Sequence, residues 1–119
     1  MIDDPRRRLG STGEAAAAAW YEARGYEIVD RNWRVRAGEI DLVVRSGRTI
    51  VFCEVKTRTS DRFGIPAEAV TVSKQRRLRT LAAQWLAAHP GLGGEVRFDV
   101  ASVTPTRETP TVTVLEAAF

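Results

Sequence analysis

Two runs in this chain, Gly38-Glu39-Ile40-Asp41-Leu42-Val43-Val44 and Ile50-Val51-Phe52-Cys53-Glu54-Val55-Lys56, are joined through Ser46-Gly47-Arg48-Thr49. A short loop with Gly beside a polar residue, set between two apolar runs, is a β-hairpin signal. Centring the turn on Gly47-Arg48 fixes a register in which Ser46 faces Thr49, Asp41 faces Glu54 and Glu39 faces Lys56. Residues directly opposite in an antiparallel pair share a face, with Cβ atoms about 4.5–5.5 Å apart. The sequence therefore predicts two carboxylates side by side, with a lysine next to them.

Like charges directly opposed destabilise a sheet, and a half-buried carboxylate pair raises one pKa sharply. A divalent cation between them removes the conflict. Mg²⁺ prefers oxygen ligands and is commonly held by one or two carboxylates plus substrate phosphate oxygens. Glu54 and Lys56 are two apart and share a face, while Val51, Cys53 and Val55 take the other. An ammonium in that position stabilises charge on a phosphate or orients an attacking water. The constellation fits metal-assisted phosphodiester hydrolysis.

A second reading makes Asp41, Glu54, Lys56 and Glu39 the solvated face of an ordinary hairpin, with Lys56 paired to Glu39 or Glu54. Three observations favour a site. Glu, Lys and Asp are poor strand residues. The run from Ile50 to Val55 is otherwise almost wholly apolar, as in a strand covered on both faces. Lys56 and Lys74 are the only lysines among 18 Lys and Arg residues.

The 119 residues make one domain, large enough for a single core, and 44% hydrophobic content is ordinary for a globular protein. The net charge of +3 leans toward an anionic partner. One cysteine excludes an internal disulfide, and Cys53 in its apolar strand reads as a buried thiol. One Cys and one His do not make a zinc site. No apolar run approaches membrane-spanning length and none follows the charges at the start, so the cytoplasm is the expected location, with no membrane partner and no small-molecule cofactor.

Residues 1–10, with Arg6-Arg7-Arg8, read as a flexible basic arm, and residues 11–119 as the domain. Ser11-Thr12-Gly13-Glu14 opens an alanine-rich helix to about Arg24, and Ser11 with Glu14 has capping-box spacing. Glu14 also lines up with Ala17, Ala18 and Tyr21, where small residues let a helix lie close to a sheet. It can serve the cap, reach the carboxylate pair, or do both. Gly25 is the expected C-cap. Tyr26 to Val35 reads as the first strand, whose Arg31, Arg34 and Arg36 with an interleaved Trp33 suit phosphate contact and base stacking, although Trp33 is better suited to packing on a neighbour than to exposure for stacking. Arg58 to Ala69 is a loop placed to shape a site. A second helix from Ser73 to Ala88 carries the stripe Leu78, Leu81, Ala82, Trp85 and Leu86. Lys74 falls near that stripe and points toward the sheet. Arg76 projects away, with Arg77 and Arg79 on the flanks. Two further strands, Glu95–Val103 and Thr111–Glu116, close the chain.

Helix, three strands, helix, two strands, with acidic residues on the central hairpin, resembles the PD-(D/E)xK nuclease superfamily. Within it the chain is similar to the YraN-type family of predicted endonucleases, akin in core to archaeal Holliday-junction resolvases. The resemblance runs from Gly13-Glu14 through Gly25-Tyr26, Asn32-Trp33-Arg34, Gly38-Glu39-Ile40-Asp41-Leu42 and Phe52-Cys53-Glu54-Val55-Lys56-Thr57-Arg58 to Gly64, Glu68-Ala69-Val70 and Lys74. It implies an α/β, restriction-endonuclease-like fold, a central mixed β-sheet flanked by helices. It implies that Asp41, Glu54 and the backbone carbonyl of Val55 ligate a catalytic Mg²⁺ or Mn²⁺. Lys56 would position the attacking water or stabilise the phosphorane, Glu14 would complete the acidic cluster as an outer or water-mediated ligand, and Lys74 would approach the phosphate. Ile40 stands where the superfamily's name has proline, although Gly-Glu-Ile-Asp is common in the resolvase-like branch.

The expected function is metal-dependent hydrolysis of DNA, with branched or flapped substrates and a homodimer following from the resolvase likeness. Arg34, Arg36, Arg58, Arg77 and Lys74 are the expected nucleic-acid contacts. Two rivals are a non-catalytic nucleic-acid-binding protein that retains the fold, and an interaction module docking through the Arg77/Arg79 face or the final strand. The intact acidic set argues against a pure binder, which gains nothing from carboxylates where a phosphate must approach.

Overall fold

The hairpin adopts the register that the Gly47 turn dictates. In a computed structural model, which describes residues 5–58 and 70–119 and side chains from residue 12 onward, β2 (Gly38–Ser46) and β3 (Thr49–Thr57) run antiparallel. Ser46 lies opposite Thr49, Val43 opposite Phe52 and Leu42 opposite Cys53. Gly47 turns the chain at φ 58, a conformation that glycine reaches without a Cβ penalty.

The sheet has five strands in the order β1-β2-β3-β4-β5, adding β1 (Glu27–Val35), β4 (Glu95–Thr104) and β5 (Thr111–Leu115). Neighbours are antiparallel except β3 and β4, whose parallel pairing needs a crossover, supplied through α2 (Val72–Ala88). The first helix, α1 (Pro5–Glu22), covers one face and α2 the other. This is the expected α/β fold, a mixed sheet flanked by helices in the restriction-endonuclease-like manner.

The alternation along β3 divides the core in two. Val51 and Cys53 pack beneath α1 with Leu42, Val44, Ala101, Val103 and the helix residues Ala17, Ala18 and Tyr21. Ile50 and Phe52 pack beneath α2 with Val43, Phe98, Val100 and the stripe Leu78, Leu81, Ala82 and Trp85. Leu86 and Trp33 are partly buried at the edge of that second cluster, so Trp33 is a packing residue. Each large apolar side chain removed from water here contributes about 1.5–3 kcal/mol, which is what holds both helices on the sheet.

Both helix starts differ from the sequence reading. α1 begins at Pro5, so residues 5–10, expected in a flexible arm, are helical. Proline is well suited to a first helical turn, where its missing N–H would have no partner. Ser11 then lies inside the helix and cannot be its N-cap, so the capping-box role of Glu14 falls away. α2 starts at Val72, one residue early, because Thr71 is its N-cap and accepts a hydrogen bond from the Lys74 amide at 3.2 Å. The expected 58–69 loop, apart from Arg58, lies outside the described residues, as do residues 1–4. Among the described residues no helix is long and apolar enough to cross a membrane.

Candidate active site

The site lies where the sheet divides. The β2–β3 ladder ends at Leu42–Cys53, while β2 stays paired with β1 as far as Val35–Gly38 and β3 with β4 as far as Thr57–Val103. Asp41 and Glu54, the next pair in register, therefore do not close the ladder. Asp41 Oδ2 instead accepts a hydrogen bond from the Val55 amide at 2.9 Å. The simple facing pair expected from the hairpin is replaced by a carboxylate bridging two diverging strands.

β2 also turns over at this point. Leu42 packs beneath α1 and Ile40 beneath α2, whereas alternation would place residues two apart on one face. On β1, Asn32 sits between the Arg31–Leu42 and Trp33–Ile40 pairs, opposite Asp41, with φ 51. Asn tolerates that left-handed conformation better than most residues. The turnover leaves Asp41 accessible from both helices.

Glu14 arrives from α1. Its neighbour Gly13 is buried against β3, and a Cβ there would collide with the Thr57 hydroxyl, so glycine sets how closely α1 approaches. Carboxylate oxygens of Glu14, Glu39 and Asp41 lie within 4.8 Å of one another. The Asn32 side chain lies beside Glu14 and favours its charged form. Glu39 pairs with Arg34 at 3.3 Å, not with Lys56 across the hairpin.

Lys74 arrives from α2. Its Nζ is 2.6 Å from Glu54 Oε1, and Lys56 Nζ is 3.5 Å from the same oxygen. Glu54 is only 7% exposed, so it sits at the base of the cleft with two ammonium groups over it. The cleft, about 210 Å³, is lined by Gly38, Glu39, Asp41, Glu54, Lys74, Arg77, Leu78 and Leu81.

The electrostatics follow from this crowding. Burial, then the charge of Glu54, push the Asp41 carboxyl up to about 7, with Glu14 and Glu39 adding to the effect and the Val55 amide opposing it. Burial also raises Glu14, against the influence of the Asn32 side chain. Lys56 is lowered by burial and by the nearby Lys74 charge, against the pull of Glu54. Burial presses on Lys74 too, but its hydrogen bond to Glu54 and the charges of Glu54 and Asp41 outweigh it, so Lys74 is raised. Asp41 and Glu14 thus resist ionisation where they stand, and Glu39 beside them is paired with Arg34.

That donor set suits a hard divalent cation. Oxygens bound to one Mg²⁺ lie at most about 4.2 Å apart, so a small side-chain movement would bring these three carboxylates within ligating distance. Of the expected residues, Asp41, Glu54, Lys56, Glu14 and Lys74 converge on this place, together with the backbone of Val55. Arg77 lines the cleft. Arg34 and Arg36 are exposed on the β1 side, and Arg58 begins beyond β3 with its amide on the Val103 carbonyl at 2.7 Å.

Two contributors were not read as site residues in the sequence. Glu39 joins the carboxylates because β2 turns over, which no strand periodicity announces. Asn32 was visible as a poor strand residue within a strand, a signal for a left-handed position.

Residues 13–103 match the model of the "Uncharacterised protein family UPF0102". A UPF0102 protein of Beutenbergia cavernae is 57% identical over 99 residues, covering 83% of this chain and 84% of that protein. One from Frankia casuarinae is 56% identical over 96 residues, 81% of each chain. One from Anaeromyxobacter dehalogenans is 48% identical over 116 residues, 98% of this chain and 87% of that one. Every site side chain named above lies inside the matched segment, and the resemblance read from the motifs holds at the level of the family. The chain belongs to the UPF0102 family.

Proposed function

We propose that this protein is a divalent-metal-dependent endonuclease of the PD-(D/E)xK type, hydrolysing phosphodiester bonds of DNA in the cytoplasm. One observation carries the proposal: where β2 and β3 part, Glu14, Glu39 and Asp41 crowd their oxygens within 4.8 Å, beside a buried Glu54 flanked by two lysines. Burial and the charge of Glu54 raise the Asp41 carboxyl to about 7, and a cation bound beside it would favour its charged form.

Asp41, Glu54 and the Val55 carbonyl are the proposed metal ligands, with Glu14 an outer or water-mediated one and Glu39 added to the acidic set. A bound Mg²⁺ or Mn²⁺ would supply Lewis-acid activation of water and neutralise charge at the scissile phosphate. Lys56, beside Glu54, orients the attacking water and donates to the phosphate oxygens as their charge grows. Val55 N–H fixes the Asp41 carboxylate, so its free oxygen keeps one orientation. Arg77 at the cleft, Lys74 within it, and Arg34, Arg36 and Arg58 around it bind the flanking phosphates. The resolvase likeness favours branched or flapped DNA, for which a two-fold dimer would be the natural form.

The test uses labelled linear, flap, fork and four-way-junction DNA with Mg²⁺, Mn²⁺ or EDTA, alongside Asp41→Ala/Glu54→Ala. Metal-dependent cleavage lost in the double variant supports the nuclease and ranks its substrates. DNA binding without cleavage, unchanged by EDTA and by the double variant, would favour the non-catalytic binding module instead.

A further inference from the structure

Lys74 stands where a helix least favours a cation. It is the third residue after the Thr71 cap, at the positive end of the α2 dipole, and the first turn of α2 contains no acidic residue. Its compensation comes from the sheet, as Nζ lies 2.6 Å from Glu54 Oε1. Lys56 is more distant from that oxygen, at 3.5 Å. Glu54 is therefore the buried carboxylate of the cleft already supplied with a cation, whereas Glu14, Glu39 and Asp41 face one another across 4.8 Å or less, with the exposed Arg34 at 3.3 Å from Glu39.

We propose that Lys74 is the resident counter-ion of Glu54, a positioning residue that holds this buried carboxylate in the cleft and must be displaced when a divalent cation takes the same oxygen. The inference rests on reading Glu54 as a metal ligand. A divalent ion on Oε1 and an ammonium at hydrogen-bond distance from it repel each other at short range in a partly desolvated cleft. Lysine suits displacement, because its charge is a point at the end of a flexible stem and not a planar fork locked onto the carboxylate. Lys74 thereby sets the threshold at which the site takes up metal: it keeps Glu54 paired when metal is scarce and competes for it when metal is present.

The test is Mn²⁺ binding, measured by calorimetry and by the loss of free-ion EPR signal, without DNA and at fixed pH and ionic strength. Lys74→Met should bind Mn²⁺ about fivefold more tightly than the natural protein, the order expected for removing one competing ion pair. Lys74→Arg, which restores the charge on a head group less readily displaced, should bind Mn²⁺ no more tightly than the natural protein. Arg76→Met removes the same charge from an exposed position of α2 outside the cleft, and should change the affinity less than about twofold, through screened long-range attraction alone. Lys74→Gln repeats the measurement if Lys74→Met does not fold. Equal or weaker Mn²⁺ binding by the charge-removing variants Lys74→Met and Lys74→Gln, or equal tightening by Arg76→Met, overturns the role of Lys74 while leaving the metal site intact. Absence of Mn²⁺ binding in every protein overturns the metal site and the role of Lys74 together.

Discussion

Asp99 and Asp41 lie in strands of one sheet, and their surroundings treat them in opposite ways. Asp99, on β4, is fully buried beneath α1 and accepts four hydrogen bonds. These come from Tyr21 Oη at 2.6 Å, Arg97 Nε at 2.9 Å and Nη2 at 3.0 Å, and the Ala117 amide at 3.0 Å. Arg97 Nη2 also donates to Tyr26 Oη at 3.1 Å. The network ties α1, β4 and the end of the chain together, and its guanidinium is held well above its ordinary pKa chiefly by the Asp99 hydrogen bonds. Asp41 receives the Val55 amide and looks toward Glu14, Glu39 and Glu54. A buried carboxylate whose lone pairs the protein fills acts as a fastener. One left among other carboxylates is available to a cation from outside.

Removing the fastener should have the largest effect. Asp99→Ala leaves the Arg97 guanidinium and the Tyr21 hydroxyl without their shared acceptor and releases Ala117. Breaking a buried pair from one side costs about 3–5 kcal/mol, so urea denaturation should show a loss of that size, or no folded protein. A loss under about 1 kcal/mol would mean that Asp99 is not the fastener described, and the contrast with Asp41 would collapse.

Asp41→Asn should move stability the other way, and by less. The folded carboxyl titrates near 7 against an ordinary 3.8. Between those values the folded protein holds a proton that the unfolded chain has lost, so stability from this group falls as pH rises through the window and stays low above it. In EDTA at pH 8, Asp41→Asn should therefore be more stable than the natural protein by about 1–2 kcal/mol, a gain that fades toward pH 4. Denaturation curves across pH 4–8 measure it. A variant less stable at pH 8 would place Asp41 with Asp99 among the structural carboxylates.

The contrast was only half legible in the sequence. The hairpin register, the Glu54/Lys56 face, the α2 stripe and the direction of Lys74 followed from turn chemistry and periodicity, which are local. The role of Asp99 is not legible locally because its partners are distant in sequence: Tyr21 lies 78 residues away and Ala117 lies 18. Its sequence signal was an Asp in an apolar strand with Arg97 two residues earlier on the same face. A ladder that continued past Leu42–Cys53 would set Glu39 opposite Lys56. The parting of β2 from β3 depends on both outer strands keeping their own pairings, which no single run of residues encodes.

The smallest effect tests what opens the site. Asn32 holds φ 51 opposite Asp41, where β2 changes faces. Within a regular strand glycine weakens the structure relative to alanine. At a left-handed position the order reverses, because alanine there costs about 1–2 kcal/mol and glycine does not incur that cost. Asn32→Gly and Asn32→Ala both lose the side-chain amide beside Glu14, so their difference isolates the backbone. Asn32→Gly should be the more stable of the two by about 1 kcal/mol in urea denaturation, after the strand cost of glycine is subtracted. If alanine proves the better residue, the left-handed turn at Asn32 is not needed for the fold, and the exposure of Asp41 must be traced to the β3 side of the gap. If glycine wins, the unfilled carboxylate is a consequence of a backbone reversal two strands wide, and the Asp99 region differs from it first in backbone and only then in charge.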